Sequence, residues 1–327
     1  MNNFSENIKL AIIVPCLDEQ EILTHTQTVL SNIILKLINQ NIISIDSKII
    51  YIDDGSEDGT WNLIEDMLSN NEIICGIKLT KNYGHQNALY AAFNETVNLF
   101  DIFITIDADL QDDPELIPKM IHCYQSGSDI VYGVRESRNT DSIFKLLSAD
   151  LFYRLINVFG GKLIPHHADF RLLSNKVLNS IIQYKETNLF LRGIVTDIGY
   201  ESSKVFYTRT SRKYGESKYT LLKMISFAWN GFTSFSAAPL RWILYLGVIM
   251  SMLSIFGMIW IISVYFMGKT IQGWSSIIIM VLFFGGINMF ALGVIGEYIR
   301  KIFIETKKRP LYLVEKKIGK IINQELF

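Results

Sequence analysis

Two stretches near the C-terminal end of the chain carry no charge at all: Trp242 to Met267 and Thr270 to Gly296. Each is about 26 residues, longer than the roughly 20 apolar residues that cross a bilayer as a helix. A buried helical hairpin in a soluble protein is the competing reading, but such helices rarely run this far without a charge. A short loop, Gly268-Lys269, separates the two stretches and carries one charge. Arg241 precedes the first, and Arg300, Lys301, Lys307, Lys308 and Arg309 follow the second. The positive-inside rule then predicts both termini in the cytosol, in a multi-pass protein of the inner (cytoplasmic) membrane. The long N-terminal part becomes a tethered cytosolic domain. The spans hold small residues at Gly285, Gly286, Ala291, Gly293 and Gly296 and no Asp, Glu, Lys, Arg or His. That pattern fits an anchor with close helix packing, a homo-oligomer included, better than a transport path. The start, MNNFSENIKL, has no basic segment leading into an apolar one, so no signal peptide is expected.

Lys and Arg number 31 against 32 Asp and Glu, so the whole chain makes no case for binding nucleic acid. Hydrophobic residues at 49% are enough for a large core and exclude global disorder. The three cysteines, Cys16, Cys75 and Cys123, are odd in number and far apart. They form no zinc or disulfide framework and suit reduced thiols.

The first 135 residues alternate short apolar runs with helical patterns. Strands are expected at Lys9–Pro15, Lys48–Asp53, Ile73–Leu79, Ile102–Asp107 and Asp129–Val134. Helices are expected at Glu19–Asn39, Gly59–Ser69, Gln86–Asn98 and Pro114–Gln125. Continuous apolar strands alternating with helices predict an α/β fold with a mostly parallel sheet covered on both faces. Such sheets bind ligands beyond the carboxyl ends of their strands. The polar residues at those ends are Asp18-Glu19, Asp53-Asp54, Asn82 and Asp107-Ala-Asp109.

No G-x-G-x-x-G follows the first strand, and no P-loop or HExxH motif occurs. His166-His167 reads as a loop pair rather than a metal site. Asp107 and Asp109 are the sharpest local feature. Residues two apart in extended chain point the same way, so two carboxylates can share one hard cation that also binds diphosphate oxygens. Gln111, Asp112 and Asp113 follow, and the concentrated charge asks for a counter-ion. Alone, such a pair also serves simply to end a strand.

The ordered stretches IIVPCLDEQ, YIDDGSEDGTW, KLTKNYGHQNALYAAF, DADLQDDPELI, DIVYGVRESR, ADFRLLS, RKYGESKY, FSAAPLR and LGVIGEY with ETKKRPLY resemble the inverting family-two glycosyltransferases. Within them, the chain is similar to the polyprenyl-phosphate group, which includes dolichol-phosphate mannosyltransferases and bactoprenol glucosyltransferases. The resemblance implies a GT-A fold, Rossmann-like with a mostly parallel sheet, over residues 1–218. It implies interfacial helices at 219–239, two transmembrane helices over 240–297 and a cytosolic tail at 298–327. It implies transfer of a sugar, glucose being the expected one, from a UDP-sugar donor to undecaprenyl phosphate with inversion. The family usually has Asn before the first-motif Glu, where this chain has Asp18.

The same resemblance implies roles for single residues. Pro15, Leu17, Glu19 and Asp54 would form the uridine pocket with Asp53 beside it, although Asp54 in DDGS is also an ordinary turn residue. Lys81 and Asn82 would approach the base and sugar. Asp107, Asp109 and Gln111 would hold Mg²⁺ or Mn²⁺. Asp169 and Arg171 match the acceptor-side motif, with Asp169, Asp109 and Arg212 as catalytic candidates. Arg135, Arg138, Arg171 and Lys218 would meet the acceptor phosphate, since guanidinium matches phosphate oxygens in pairs. Each could equally be part of a solvated basic patch. A lipid phosphate is already anionic at neutral pH, so positioning and charge stabilisation matter more than a strong base.

Ser142–Phe159 and Tyr219–Phe235 carry apolar residues at helical spacing; such faces usually pack into a core, but beside two spans helices lying along the membrane surface are at least as well supported. Two other functions compete. A processive polysaccharide synthase would carry Q-x-x-R-W, but Ala238 stands three before Arg241. A non-catalytic sugar-nucleotide sensor or flippase subunit would not need Asp107, Asp109, Asp169 and Arg212.

Overall fold

The computed structural model describes residues 8–135, 167–186, 189–208, 238–267, 274–321 and 324–325. The chain divides into two compact units. One carries the sheet and comprises the chain up to Tyr219, apart from Val158–Gly161, together with Pro310–Phe327. The other is formed mainly by Thr220–Arg309.

In the first unit the order is β1 (Leu10–Cys16), α1 (Gln20–Asn39), β2 (Lys48–Asp53), α2 (Thr60–Asn70), β3 (Ile74–Leu79), α3 (His85–Thr96) and β4 (Ile102–Thr105). A short 3-10 turn at Pro114–Leu116 leads into α4 (Ile117–Gln125) and β5 (Ile130–Arg135). Then come β6 (His167–Ser174), α5 (Asn175–Ile181), α6 (Leu191–Asp197) and β7 (Ser202–Tyr207). The second unit contributes α7 (Ala238–Phe266) and α8 (Trp274–Thr306). The chain then returns to the first unit as β8 (Val314–Ile318), β9 (Lys320–Ile321) and β10 (Gln324–Glu325).

The eight-stranded sheet runs β7-β5-β6-β4-β1-β2-β3-β8. β1, at its centre, is parallel to both β2 and β4, and β2 is parallel to β3. Alternation along β1 decides which side each residue serves. Leu10, Ile12 and Val14 pack with α1 residues such as Leu23, Leu30 and Ile34, while Ala11 and Ile13 pack with Ala88, Ala92 and Phe93 of α3. α1 stays on its face because Ile22, Leu23, Thr26, Leu30, Ile33, Ile34 and Leu37 recur at three- and four-residue spacing.

The sheet is mostly parallel, as expected, across β1 to β4 and between β5 and β7. β6 inserts between β4 and β5 and runs antiparallel to both. β8 closes the far edge antiparallel to β3. Within the segment expected as a separate cytosolic tail, Val314–Ile318 is therefore a strand of the sheet. Ion pairs Lys78–Glu315, Lys316–Glu65 and Lys317–Glu95 flank it, and the Tyr312 hydroxyl donates to Glu95 at 2.8 Å.

α7 has 29 residues and α8 has 33. Several of their side chains lie outside the described residues. Among the described residues, no helix is long and apolar enough to cross a membrane. The sequence segments Ser142–Phe159 and Tyr219–Phe235, with Arg138, His166, Arg212 and Lys218, lie outside the described residues.

Candidate functional site

The carboxyl ends of β1 and β2 meet the loop after β3. Asp18 adopts φ 55°, a left-handed conformation that Asn and Asp tolerate best. Its carboxylate accepts from Glu57 N at 2.9 Å, and its own N–H donates to Ser56 Oγ. An Asn could accept the same bond, so Asp18 preserves the turn. Glu19 N donates to Thr60 Oγ1, which fixes the entry to α1 against the start of α2. Pro15 and Glu19 are half-buried beside it, and Leu17 is exposed.

Asp53 and Asp54 are both buried but behave differently. Asp54 accepts from Tyr83 N at 2.7 Å and Gly84 N at 2.9 Å, so it holds the loop that presents the exposed Lys81 and Asn82. Gly55 makes this closeness possible. It sits at φ +73°, and a Cβ there would stand 2.3 Å from the Lys81 carbonyl carbon. Asp53 accepts from Ser56 N and Oγ, while its Oδ2 is buried and has no partner among the described residues. Burial pushes both carboxyls above their ordinary range.

The antiparallel insertion of β6 builds the second half of the site. Its start lies beside the end of β4, where Thr105 pairs with Arg171 and the Thr105 hydroxyl donates to the Asp169 carbonyl. Asp169 and Arg171, two apart on one strand, share a face, and Arg171 Nη2 lies 3.2 Å from Asp169 Oδ1. Arg192, from α6, donates to the same carboxylate with Nε at 3.0 Å and Nη2 at 2.8 Å. His85, first in α3, places Nε2 3.4 Å from Asp169 Oδ2 and 4.0 Å from Asp107 Oδ1. Burial disfavours the Asp169 charge, but the His85 and Arg192 bonds and the Arg171 charge outweigh it, holding the carboxyl well below its usual range. Arg171 is itself fully buried, so it supports Asp169 from beneath and is not presented to an acceptor.

Asp107 shows the opposite balance. Burial pushes it up, His85 relieves it, and the charges of Asp169, Asp112 and Asp109 raise it further. Gln111 is buried, and its N–H donates to Asp109 Oδ1 at 3.3 Å. Among the described residues no three His, Cys, Asp or Glu side chains form a metal cage. Mg²⁺ commonly takes only one or two protein carboxylates and completes its shell with water and substrate phosphates. Asp107 and Asp109, at the end of β4 among mutually repelling carboxylates, fit that donor set.

Arg135 turns to a different partner. Its Nη2 lies 3.0 and 3.4 Å from the two oxygens of buried Asp112, and the Tyr207 hydroxyl donates to Asp112 at 2.5 Å. This lock fixes the loop after Asp109. His85 and Arg192 are the two site residues that the sequence reading passed over. His85 opens α3 within a quoted stretch, and Arg192 is a lone cation in the apolar LFLRGIV; those are the only signals either gives.

Glycosyl transferase family 2 matches residues 11–182. The uncharacterized glycosyltransferase YkoT of Bacillus subtilis is 46% identical over 306 residues, covering 94% of this chain and 91% of that protein. The bactoprenol glucosyl transferase of Shigella phage SfX is 35% identical over 312 residues, 94% of this chain and 99% of that one. A prophage bactoprenol glucosyl transferase homolog of Escherichia coli K12 matches at 35% over 313 residues. The strand-end carboxylates, the buried Asp169 and these near full-length relatives together establish that the chain belongs to glycosyl transferase family 2.

Proposed function

We propose that the protein transfers a sugar, with glucose the leading candidate, from a UDP-sugar to a polyprenyl phosphate, undecaprenyl phosphate in a bacterial membrane. The relatives named as bactoprenol glucosyl transferases support the acceptor, because they match along 99% of their own length. The observation that carries the reading is the state of Asp169. Its two oxygens accept from Arg171, Arg192 and His85, and its proton affinity is very low. Such a carboxylate is a poor general base. A nucleophile that arrives already deprotonated, as a phosphate does and a hydroxyl does not, suits such a site.

In this reading the Asp54-held loop carries Lys81 and Asn82 to the uridine and sugar. Asp107 and Asp109 would hold Mg²⁺ or Mn²⁺, which supplies charge neutralisation on the departing diphosphate. An acceptor phosphate oxygen attacks the anomeric carbon from the face opposite UDP. The bond to UDP breaks with inversion, and its electron pair stays on the diphosphate.

The two charge-free stretches of the sequence, Trp242–Met267 and Thr270–Gly296, the second only partly among the described residues, would cross the membrane, with both termini in the cytosol. At 1.5 Å per residue, α7 is about 43 Å long, against about 30 Å of hydrocarbon. Their described apolar side chains point outward in number, with Phe256, Trp260, Met280, Val281 and Met289 each more than half exposed. The helices would anchor the enzyme, leaving its lipid-linked product in the cytosolic leaflet. A panel of UDP-sugars assayed with undecaprenyl phosphate tests the function. One sugar should give a glycolipid with matching UDP release, and UDP release without glycolipid would contradict it.

A further inference from the structure

β8 is fitted to the edge of β3. Gly76 leaves room for it, since a Cβ there would stand 2.8 Å from Ile318 Cγ1. The pairing shifts register near the end of β3, where Lys78 pairs with Lys316 but Leu79 with Val314. Past that shift, the Thr80 N–H donates to the Leu313 carbonyl at 3.0 Å. Thr80 is the residue before Lys81. The same segment also grips α3. The Tyr312 ring stands edge-on to that of Tyr90, with centroids 6.5 Å apart. Its hydroxyl accepts from Asn94 Nδ2 at 2.7 Å and donates to Glu95 at 2.8 Å, and Lys317 pairs with Glu95 as well. Leu311, Tyr312 and Val314 pack on the cluster that holds Leu79, Leu89 and Phe93.

Residues 80–84 join the end of β3 to the start of α3, so this segment holds both elements between which they run. Within the loop, Asp54 accepts from Tyr83 N and Gly84 N, and the Thr80 and Tyr83 hydroxyls lie 3.0 Å apart. A short loop fixed at both ends has little conformational freedom left. Lys81 and Asn82 are exposed at its middle. We propose that residues 311–318 are a positioning strap for this loop: Tyr312 and the Leu313 carbonyl fix how Lys81 and Asn82 are presented, and so set the affinity for the nucleotide of the donor. This rests on the UDP-sugar reading above. The strap acts through the loop, by removing in advance an ordering cost that binding would otherwise carry. Coupling is reciprocal, so a bound nucleotide stabilises the strap by the same free energy.

The test uses the full-length protein, with UDP affinity read by calorimetry and the acceptor KM read with undecaprenyl phosphate in phosphatidylcholine vesicles. Tyr312→Phe keeps the ring on Tyr90 and loses both hydroxyl bonds. It should raise the UDP Kd about threefold or more, the loss expected for a hydrogen bond, with the acceptor KM unmoved. Lys316→Ala is the control. It removes the strand's ion pair to Glu65 of α2, which is neither end of the loop, and UDP affinity should stay at the wild-type value. Hydrogen exchange on wild type gives a readout that no folding defect disturbs: UDP should slow amide exchange in residues 311–318 together with residues 80–84. UDP affinity unchanged in Tyr312→Phe, or weakened equally by Lys316→Ala, would overturn the proposal. So would UDP affinity and acceptor KM worsening by the same factor in Tyr312→Phe, or protection by UDP confined to residues 80–84. If wild type binds no UDP, the donor reading itself fails. If wild type binds UDP while Tyr312→Phe binds it equally well, the strap alone fails.

Discussion

Arg192 grips both oxygens of Asp169, with Nε 3.0 Å from one and Nη2 2.8 Å from the other, while Arg171 reaches the first from the protein interior. The carboxylate that the family motif puts on the acceptor side is thus the centre of an ion cluster. Removing Asp169 would leave Arg171 buried without its counter-charge. Asp169→Ala should therefore cost about 3–5 kcal/mol of stability, the usual result of removing one partner of a buried pair. Denaturant unfolding checks this, and unchanged stability would contradict it.

The same cluster fixes a pH dependence. The folded Asp169 carboxyl titrates well below its ordinary range, because the His85 and Arg192 bonds and the Arg171 charge outweigh the burial that opposes its ionisation. A group depressed in the folded state adds stability that is complete above its unfolded pKa, about 3.9. That contribution is lost as pH falls through the folded value. The stability gap between wild type and Asp169→Asn should widen as pH falls from 7 toward 6, because His85, whose pKa Asp169 raises, then carries its charge beside the carboxylate, and should shrink only below about 4. A gap that closes between pH 7 and 5 would contradict the assignment.

Gly55 controls how closely two loops approach. Gly55→Ala would force a side chain into the left-handed region and onto the Lys81 backbone, 2.3 Å from its carbonyl carbon. The backbone term alone costs about 1–2 kcal/mol. Because Lys81 and Asn82 move with that contact, UDP binding by calorimetry should weaken along with stability. Unchanged UDP affinity would place the loop outside the donor site.

The strands β1 to β5 were legible because their apolar runs are continuous, as burial on both faces requires. β6 and β8 were not. Each pairs antiparallel with a strand far away in sequence, β6 with β4 and β8 with β3. Missing β6 meant missing why Asp169 comes near Asp107, which then rested on resemblance alone. The resemblance and the chemistry of guanidinium put Arg171 and Arg135 at the acceptor phosphate. Sequence does not reveal that the first is fully buried or that the second already has Asp112 and Tyr207 as partners. His85 escaped notice because a single histidine at a helix start carries no spacing signal.

Chelation should abolish sugar transfer, and Mg²⁺ or Mn²⁺ should restore it, because Asp107 and Asp109 concentrate charge at the end of β4. Activity of an Asp107→Asn, Asp109→Asn double variant in chelator equal to wild type in Mg²⁺ would contradict a metal role for the pair.

The most direct measurement compares two acceptors of equal chain length, undecaprenyl phosphate and undecaprenol, using the purified full-length protein and one active UDP-sugar. With Asp169 gripped by Arg192, Arg171 and His85 and its carboxyl held well below the usual range, it is poorly suited to activate an alcohol. The account predicts glycolipid and matching UDP from the phosphate, with inverted anomeric configuration, and no glycolipid from the alcohol. Equal rates with both would contradict it and return Asp169 to the role of a general base.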